Sequence, residues 1–467
     1  MNRQRFPRQS SIELAFEHSR SVRALLALRR WLDGSAASSS WLRLEQRLAS
    51  WLNGSRFFSP ERIGSRPLEP RWSVLLRESL IFRTAWLALG LLWGCGCRAA
   101  AAVYDAIWSL PLFSSSRLLS GLAAGIKDPG IAVAAVALAL PLAPTRFSLA
   151  LILLSLLGLL LHGDSRSLNR WLRTPLDFPV FIFVAVVTVA AAFSFDPRGS
   201  LITWAAWLLY IAFFYLVATR LDAAGLRRVV GALLFSAALL SLYGIYQYLA
   251  GVPAESSWID QTTFAGIKTR VYSTLDNPNV LAEYLILVLP LALAAVLAST
   301  TWKGRLFPAG VLALGGLCLL LTLSRGGWAG FLFALVLFAT LSDRRALVLL
   351  VVGMVAAGFL LPPEYIGRAA SIVNLQESSN SYRVSIWVAV GRMIRDFWVT
   401  GIGPGLDTFN LVYPHYSLGG GRAYHAHNFF LQVLLETGVG GLYPLLLLLW
   451  EFFRAGVRGL LISGGDG

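Results

Sequence analysis

Near the end of the chain stands His425-Ala426-His427-Asn428, followed by Glu436, Gly438 and Gly441. A histidine at the polar mouth of an apolar helix has a pKa near working pH and can take a proton from a hydroxyl. Asn428 would orient that imidazole or bind a substrate oxygen. The plainer reading is a polar loop end, with Gly438 and Gly441 letting helices approach closely. Zinc is a third option, since His425 and His427 would share one face of a strand. No cysteine or third ligand accompanies them, so no metal is expected.

Two arginines invite a second chemistry. Arg325, in Leu323-Ser324-Arg325-Gly326-Gly327, lies where one apolar segment ends and the next begins. An arginine at a membrane edge either snorkels to the interface or serves as a fixed cation for an anion such as phosphate. Arg270 opens the stretch Arg270-Val271-Tyr272-Ser273-Thr274-Leu275-Asp276-Asn277-Pro278-Asn279. A capped helix start accounts for Asn277 to Asn279 but not for Arg270. Two such arginines and one histidine suggest a pocket for a lipid-linked phosphate beside a proton acceptor.

Those residues need a scaffold, and composition says which kind. Of 467 residues, 56% are hydrophobic and only 14% are charged, against roughly 25% charged in an ordinary soluble domain. Mean hydropathy is +0.63, and the apolar residues cluster in long runs. The chain therefore reads as an all-α polytopic membrane protein. A soluble enzyme, a disulfide scaffold and a disordered regulator are excluded. The net charge of +15 comes almost wholly from arginine, the only lysines being Lys127, Lys268 and Lys303. Arginine in membrane-protein loops sets orientation and meets anionic lipid, and no nucleic-acid-binding motif competes with that reading. Cys95, Cys97 and Cys318 show no zinc or redox spacing and read as packing residues.

Residues 1–128 form a basic cytoplasmic arm. Fifteen arginines and seven acidic residues fall within 1–83, without a signal-peptide-like apolar run. Short amphipathic stretches at 25–32 and 41–52 fit surface-lying helices, and 84–113 fits a helical hairpin or two interfacial helices. About ten transmembrane helices are expected, at 129–144, 147–162, 178–195, 200–218, 229–249, 280–299, 306–324, 327–341, 346–362 and 437–453. The first nine make a bundle over 129–362, and the tenth, with a short tail, occupies 437–467. Basic residues fall on every second connection: Arg166, Arg170 and Arg173; Arg220, Arg227 and Arg228; Lys303 and Arg305; Arg344 and Arg345; Arg454 and Arg458. By the positive-inside rule these connections are cytoplasmic.

Two longer connections, about 250–279 and 363–436, then lie on the outer face. The second, a large extracytoplasmic loop, holds three of the five histidines, His415, His425 and His427. Within it, apolar residues at 386, 390, 393, 394 and 397 predict an amphipathic helix over 383–399. That helix would rest on the outer interface with Arg383, Arg392 and Arg395 towards water. The glycines at 401, 403 and 405 lack the following Lys-Ser/Thr of a phosphate-binding loop.

Taken together, these motifs resemble the O-antigen ligase and polymerase superfamily of membrane glycosyltransferases. Its ligases share His followed by Asn, Ser or Gln, then nine residues, then Gly-x-x-Gly/Thr/Tyr. Here His427-Asn428, nine residues and Gly438-Val439-Gly440-Gly441 satisfy that pattern. The stretches around Arg270 and Arg325 look like the family's two arginine-bearing segments. The likeness covers roughly 130–453, and relatives commonly carry further helices beyond that point. The resemblance implies transfer of a preassembled glycan from undecaprenyl diphosphate to an acceptor hydroxyl, at the outer face of the bacterial inner membrane and without cofactor or metal. Arg270 and Arg325 would hold the diphosphate and His427 would deprotonate or orient the acceptor. Arg383, His425 and Asn428 would contribute to substrate binding. Lipid A core, another repeat unit and a protein hydroxyl all fit as acceptors. Members similar in motif have also been named inorganic-carbon (bicarbonate) transporters, a rival that would need a substrate path through the bilayer.

The sidedness has its own test. A membrane-impermeant maleimide added to intact cells should label a cysteine placed at position 415. A cysteine in the 219–228 turn should react only after permeabilisation.

Overall fold

The computed structural model describes residues 128–162, 174–253, 269–342, 345–371, 378–417 and 423–463, with isolated positions between 95 and 106. The expected surface helices at 25–32 and 41–52 and the basic turn at 163–173 lie outside the described residues, as does nearly all of 84–113. The chain divides into two units, 76–454, and 1–75 with 455–467. Of the second, residues 455–463 are described, and they are helical.

Among the described residues every regular element is helical. Nine apolar helices come first: α1 Pro129–Ala139, α2 Thr145–His162, α3 Asp177–Ala192, α4 Pro197–Arg220, α5 Ala223–Leu249, α6 Pro278–Ala298, α7 Trp302–Leu321, α8 Arg325–Ser342 and α9 Arg345–Leu360. Local chemistry fixes several starts. Asp128, Asp222, Asn277 and Thr301 each cap a helix by accepting a backbone N–H, and Pro129, Pro197 and Pro278 pre-set the first turn. Asp128 also pairs with Arg228 at 2.8 Å, tying α1 to α5.

Five helices among the described residues are long and apolar enough to cross a membrane: α4, α5, α6, α7 and the stretch Phe429–Val457. The other five expected spans fall on shorter apolar helices, α1, α2, α3, α8 and α9. The core of the bundle sits between α5, α6 and α7, where Leu240, Leu281, Leu285, Leu289 and Cys318 are fully buried. Elsewhere large apolar side chains stand outward, Phe359 at 86% exposure and Leu249 at 78% among them. In water so large an apolar surface would drive association; against lipid tails it is at no disadvantage. Of the three cysteines expected to pack, Cys318 does, Cys95 is exposed, and Cys97 lies outside the described residues.

Beyond α9 come short elements, α10 Pro363–Ala370, α11 Ser378–Phe397 and α12 Leu406–Val412, then the last helix, α13 Phe429–Ser463. The amphipathic helix expected over 383–399 is α11, and the centre of its apolar face packs on the protein itself. Ile386, Ala389, Val390 and Met393 are fully buried in a second core with Ile402, Phe409 and Leu435. Amphipathicity reports an apolar partner without saying whether that partner is a bilayer or the protein's own loop. Arg392 and Arg395 are exposed as expected, whereas Arg383 is half-buried.

The last helix breaks at Gly438, whose φ of 65° and ψ of −171° lie outside the helical range. The loop after α11 fills the break: Val439 N–H donates to the Trp398 carbonyl at 2.8 Å, and Ile402 and Gly403 N–H donate to the Leu435 and Glu436 carbonyls at 2.9 and 3.0 Å. The same loop is anchored to α4, where Ser200 Oγ donates to the Pro404 carbonyl at 2.7 Å. A β-carbon on Gly438 would fall on the Val399 carbonyl group. Gly438→Ala should therefore destabilise the protein by about 2 kcal/mol or more, from the positive φ and the clash together. Thermal unfolding in detergent would show this against Gly440→Ala, whose β-carbon would meet only ordinary contacts.

Candidate active site at the helix ends

Arg270 and Arg325 are both buried, at 4% and 9% exposure, and the fold joins them. Arg270 Nε donates to the Thr322 carbonyl at 2.9 Å. Its Nη2 donates to Asn279 Oδ1 at 3.4 Å, and Ser324 Oγ donates to the same oxygen at 3.0 Å. One carboxamide oxygen at the start of α6 thus connects the first arginine to the residue just before the second. The chain on either side is held in unusual conformations. Ser273 and Leu323 have φ of 55° and 53°. The Ser273 turn is clamped by Gln247 of α5, whose Oε1 accepts Tyr272 and Ser273 N–H at 3.2 and 2.8 Å. Non-glycine residues adopt positive φ at a cost of about 1–3 kcal/mol, which such clamps offset.

Arg325 points the other way, towards the short helices. Nη1 donates to both the carbonyl and the hydroxyl of Ser371 at 2.9 Å, and Nη2 donates to Asn380 Oδ1 at 3.2 Å. Ser371 follows α10 and Asn380 lies in the first turn of α11. Two and three residues along α11 come Tyr382 and Arg383, and here the histidines enter. The His427 ring meets Tyr382 edge-on with centroids 5.9 Å apart and lies 4.1 Å from the His425 ring. Burial, His425 and Arg383 together push the His427 pKa down to about 4. Burial lowers His425 as well, while the Glu283 carboxylate opposes the shift. Contacts thus run from Arg325 through the first turns of α11 to the histidines, and Glu283, whose charge His425 feels, sits one turn along α6 from Asn279.

The histidine turn is itself strained and braced. His427 has φ of 48°. On its N-terminal side Ala426 is fully buried: its N–H donates to Gln432 Oε1 at 2.7 Å, and its carbonyl accepts from Trp387 Nε1 at 3.0 Å. Asn428 Oδ1 accepts the Leu431 N–H at 3.1 Å, the bond of a helix N-cap. His415, His425 and His427 all keep solvent-accessible surface, the last two with part of the ring shielded, and among the described residues no group of three or more His, Cys, Asp or Glu could hold a metal ion.

Asn279, Ser371, Asn380, Tyr382, Gln432 and Glu436 also build this region, though sequence reasoning gave none of them a part in the chemistry. Ser371 and Asn380 flank residues outside the described set and carry no motif. The spacing of Gln432 and Glu436, four apart at the head of a helix, was the one available signal.

A bundle of apolar helices whose ends gather two buried arginines and a histidine turn defines a helical membrane protein with a polar site at one rim. Residues 310–446, less than a third of the chain, match the family model described as O-antigen ligase. The match contains Arg325, Arg383, His425, His427 and Asn428, while Arg270 precedes it. No curated protein and no solved structure matches the chain.

The His427 environment makes a direct prediction. Its folded pKa lies below the ordinary 6.5, so protonation opposes the folded turn. The turn keeps its full stability above about pH 6.5 and loses it as pH falls towards 4. Carbethoxylation of His427, followed by mass spectrometry in detergent, should fall off with a midpoint near pH 4 rather than near 6.5.

Proposed function

We propose that the protein transfers a preassembled glycan from undecaprenyl diphosphate to an acceptor hydroxyl at the outer face of the bacterial inner membrane. The observation that carries this reading is the chain of contacts joining Arg270 and Arg325 to the His427 turn through Asn279, Ser324 and the first turns of α11. The O-antigen ligase match supports the same class of chemistry, a ligase acting on a lipid-linked glycan.

In the reaction the acceptor oxygen forms a bond to the anomeric carbon as the bond from that carbon to the phosphate oxygen breaks. The departing oxygen keeps the electron pair, and undecaprenyl diphosphate gains a negative charge. Arg270 and Arg325 would bind the diphosphate and stabilise that charge as it develops. The hydroxyl proton passes to His427, whose depressed pKa keeps the imidazole neutral and its lone pair available at neutral pH. So weak a base suffices because the diphosphate leaves readily without a proton. Arg383 and His425, whose charges His427 feels, would contribute to binding the sugar.

His427→Ala should abolish glycan transfer without lowering the amount of protein in the membrane. Arg325→Lys keeps the charge but loses the three-acceptor geometry, and should slow transfer by about 10²–10³-fold. Unchanged cell-surface glycan profiles in both variants would falsify the reading.

A further inference from the structure

Glu436, on the first segment of α13, is buried at 6% exposure, and no step of the proposed reaction uses it. Its Oε1 accepts Gln432 Nε2 at 2.8 Å and the Gly405 N–H at 3.3 Å. Gln432 Oε1 in turn accepts the Ala426 N–H at 2.7 Å. A single line of hydrogen bonds therefore runs from the 401–405 loop through two side chains to the residue immediately before His427. That line ends on a backbone held next to a positive φ, where a lost bond would let the turn relax.

We propose that Gln432 and Glu436 are positioning residues that hold the His427 imidazole where it meets the acceptor hydroxyl. The inference rests on the glycan-transfer reading for the purpose of the imidazole, but not for its placement. The relay has a direction. Gln432 must offer an acceptor to Ala426 and a donor to Glu436, which a carboxamide does and a carboxylate does not. Gln432→Glu sets two carboxylates against each other and breaks the line. Adding Glu436→Gln restores the link to Ala426 with the roles exchanged, because the new carboxamide donates to the new carboxylate. A residue that merely filled space would show no such rescue.

The test uses the full-length protein in membranes and measures glycan transfer and the rate of His427 carbethoxylation. Gln432→Glu should lower transfer by about tenfold or more, as expected when a reacting group shifts by an ångström or so, and should speed carbethoxylation as the turn opens. The double variant Gln432→Glu/Glu436→Gln should return both measurements to within about twofold of the original protein, as the restored link to Ala426 requires. If the single variant alters neither measurement, or the double variant is no better than the single one, the inference is overturned. If carbethoxylation follows the expected pattern while the original protein itself transfers no glycan, the positioning role stands and the glycan-transfer reading falls.

Discussion

The site depends on holding two guanidinium groups in fixed positions at an apolar rim. An arginine cannot shed its proton to escape a poor solvent, so it must be hydrogen-bonded or reach water. Arg325 is gripped by the Ser371 carbonyl, the Ser371 hydroxyl and the Asn380 carboxamide. Arg270 is gripped by the Thr322 carbonyl and the Asn279 carboxamide. Each of these bonds is directional, so together they fix the plane and position of each guanidinium. Supplying them requires chain ends from α6, α7, α10 and α11 at one place, and the short elements after α9 bring the last two.

The three parts of the His-Asn-x9-Gly pattern do three different jobs. His427 presents its ring from a left-handed backbone position, Asn428 caps the helix that follows, and Gly438 breaks that helix. The break exposes backbone carbonyls of Leu435 and Glu436, which the 401–405 loop satisfies. Spacing between the histidine and the glycine is thus a length of helix. It sets how far the histidine turn stands from the point where the loop locks on. Changing that length by one residue would rotate Gln432 and Glu436 by 100° about the helix axis and part them from Ala426 and Gly405.

Much of this was legible in the residues. Apolar runs located the helices but not all their ends: the last, expected over 437–453, starts at Phe429 and runs to Ser463, because its first turns carry polar residues that a hydropathy run excludes. Arg270, Arg325 and His427 stood out in the sequence because each falls at the edge of a long apolar run. What could not be read was pairing. Asn279 looked like part of a turn, and only the approach of the 322–324 turn makes its oxygen a bridge. The 401–405 glycines showed only what they lacked, a following Lys-Ser/Thr; in the fold their positive φ values let the loop pack closely, Gly401 on the Glu436 backbone, Gly403 on Ser194 and Gly405 on Thr203. The apolar face of α11 was assigned to the membrane because periodicity does not name the partner, and in the fold that partner is the loop around Ile402 and Phe409.

Charge also links the two halves of the site. Arg383 and His425 help to depress the basicity of His427, so positive charge near the turn works against proton uptake. A diphosphate bound by Arg270 and Arg325 would bring negative charge to the same rim and offset part of that field. The imidazole would then be a poorer base while the site is empty and a better one once the donor is seated. Histidine placed among arginines is in this respect no liability. In the proposed reaction it would stay neutral until the donor is bound, and the group that would leave as an anion would be the one that prepares the base for the acceptor's proton.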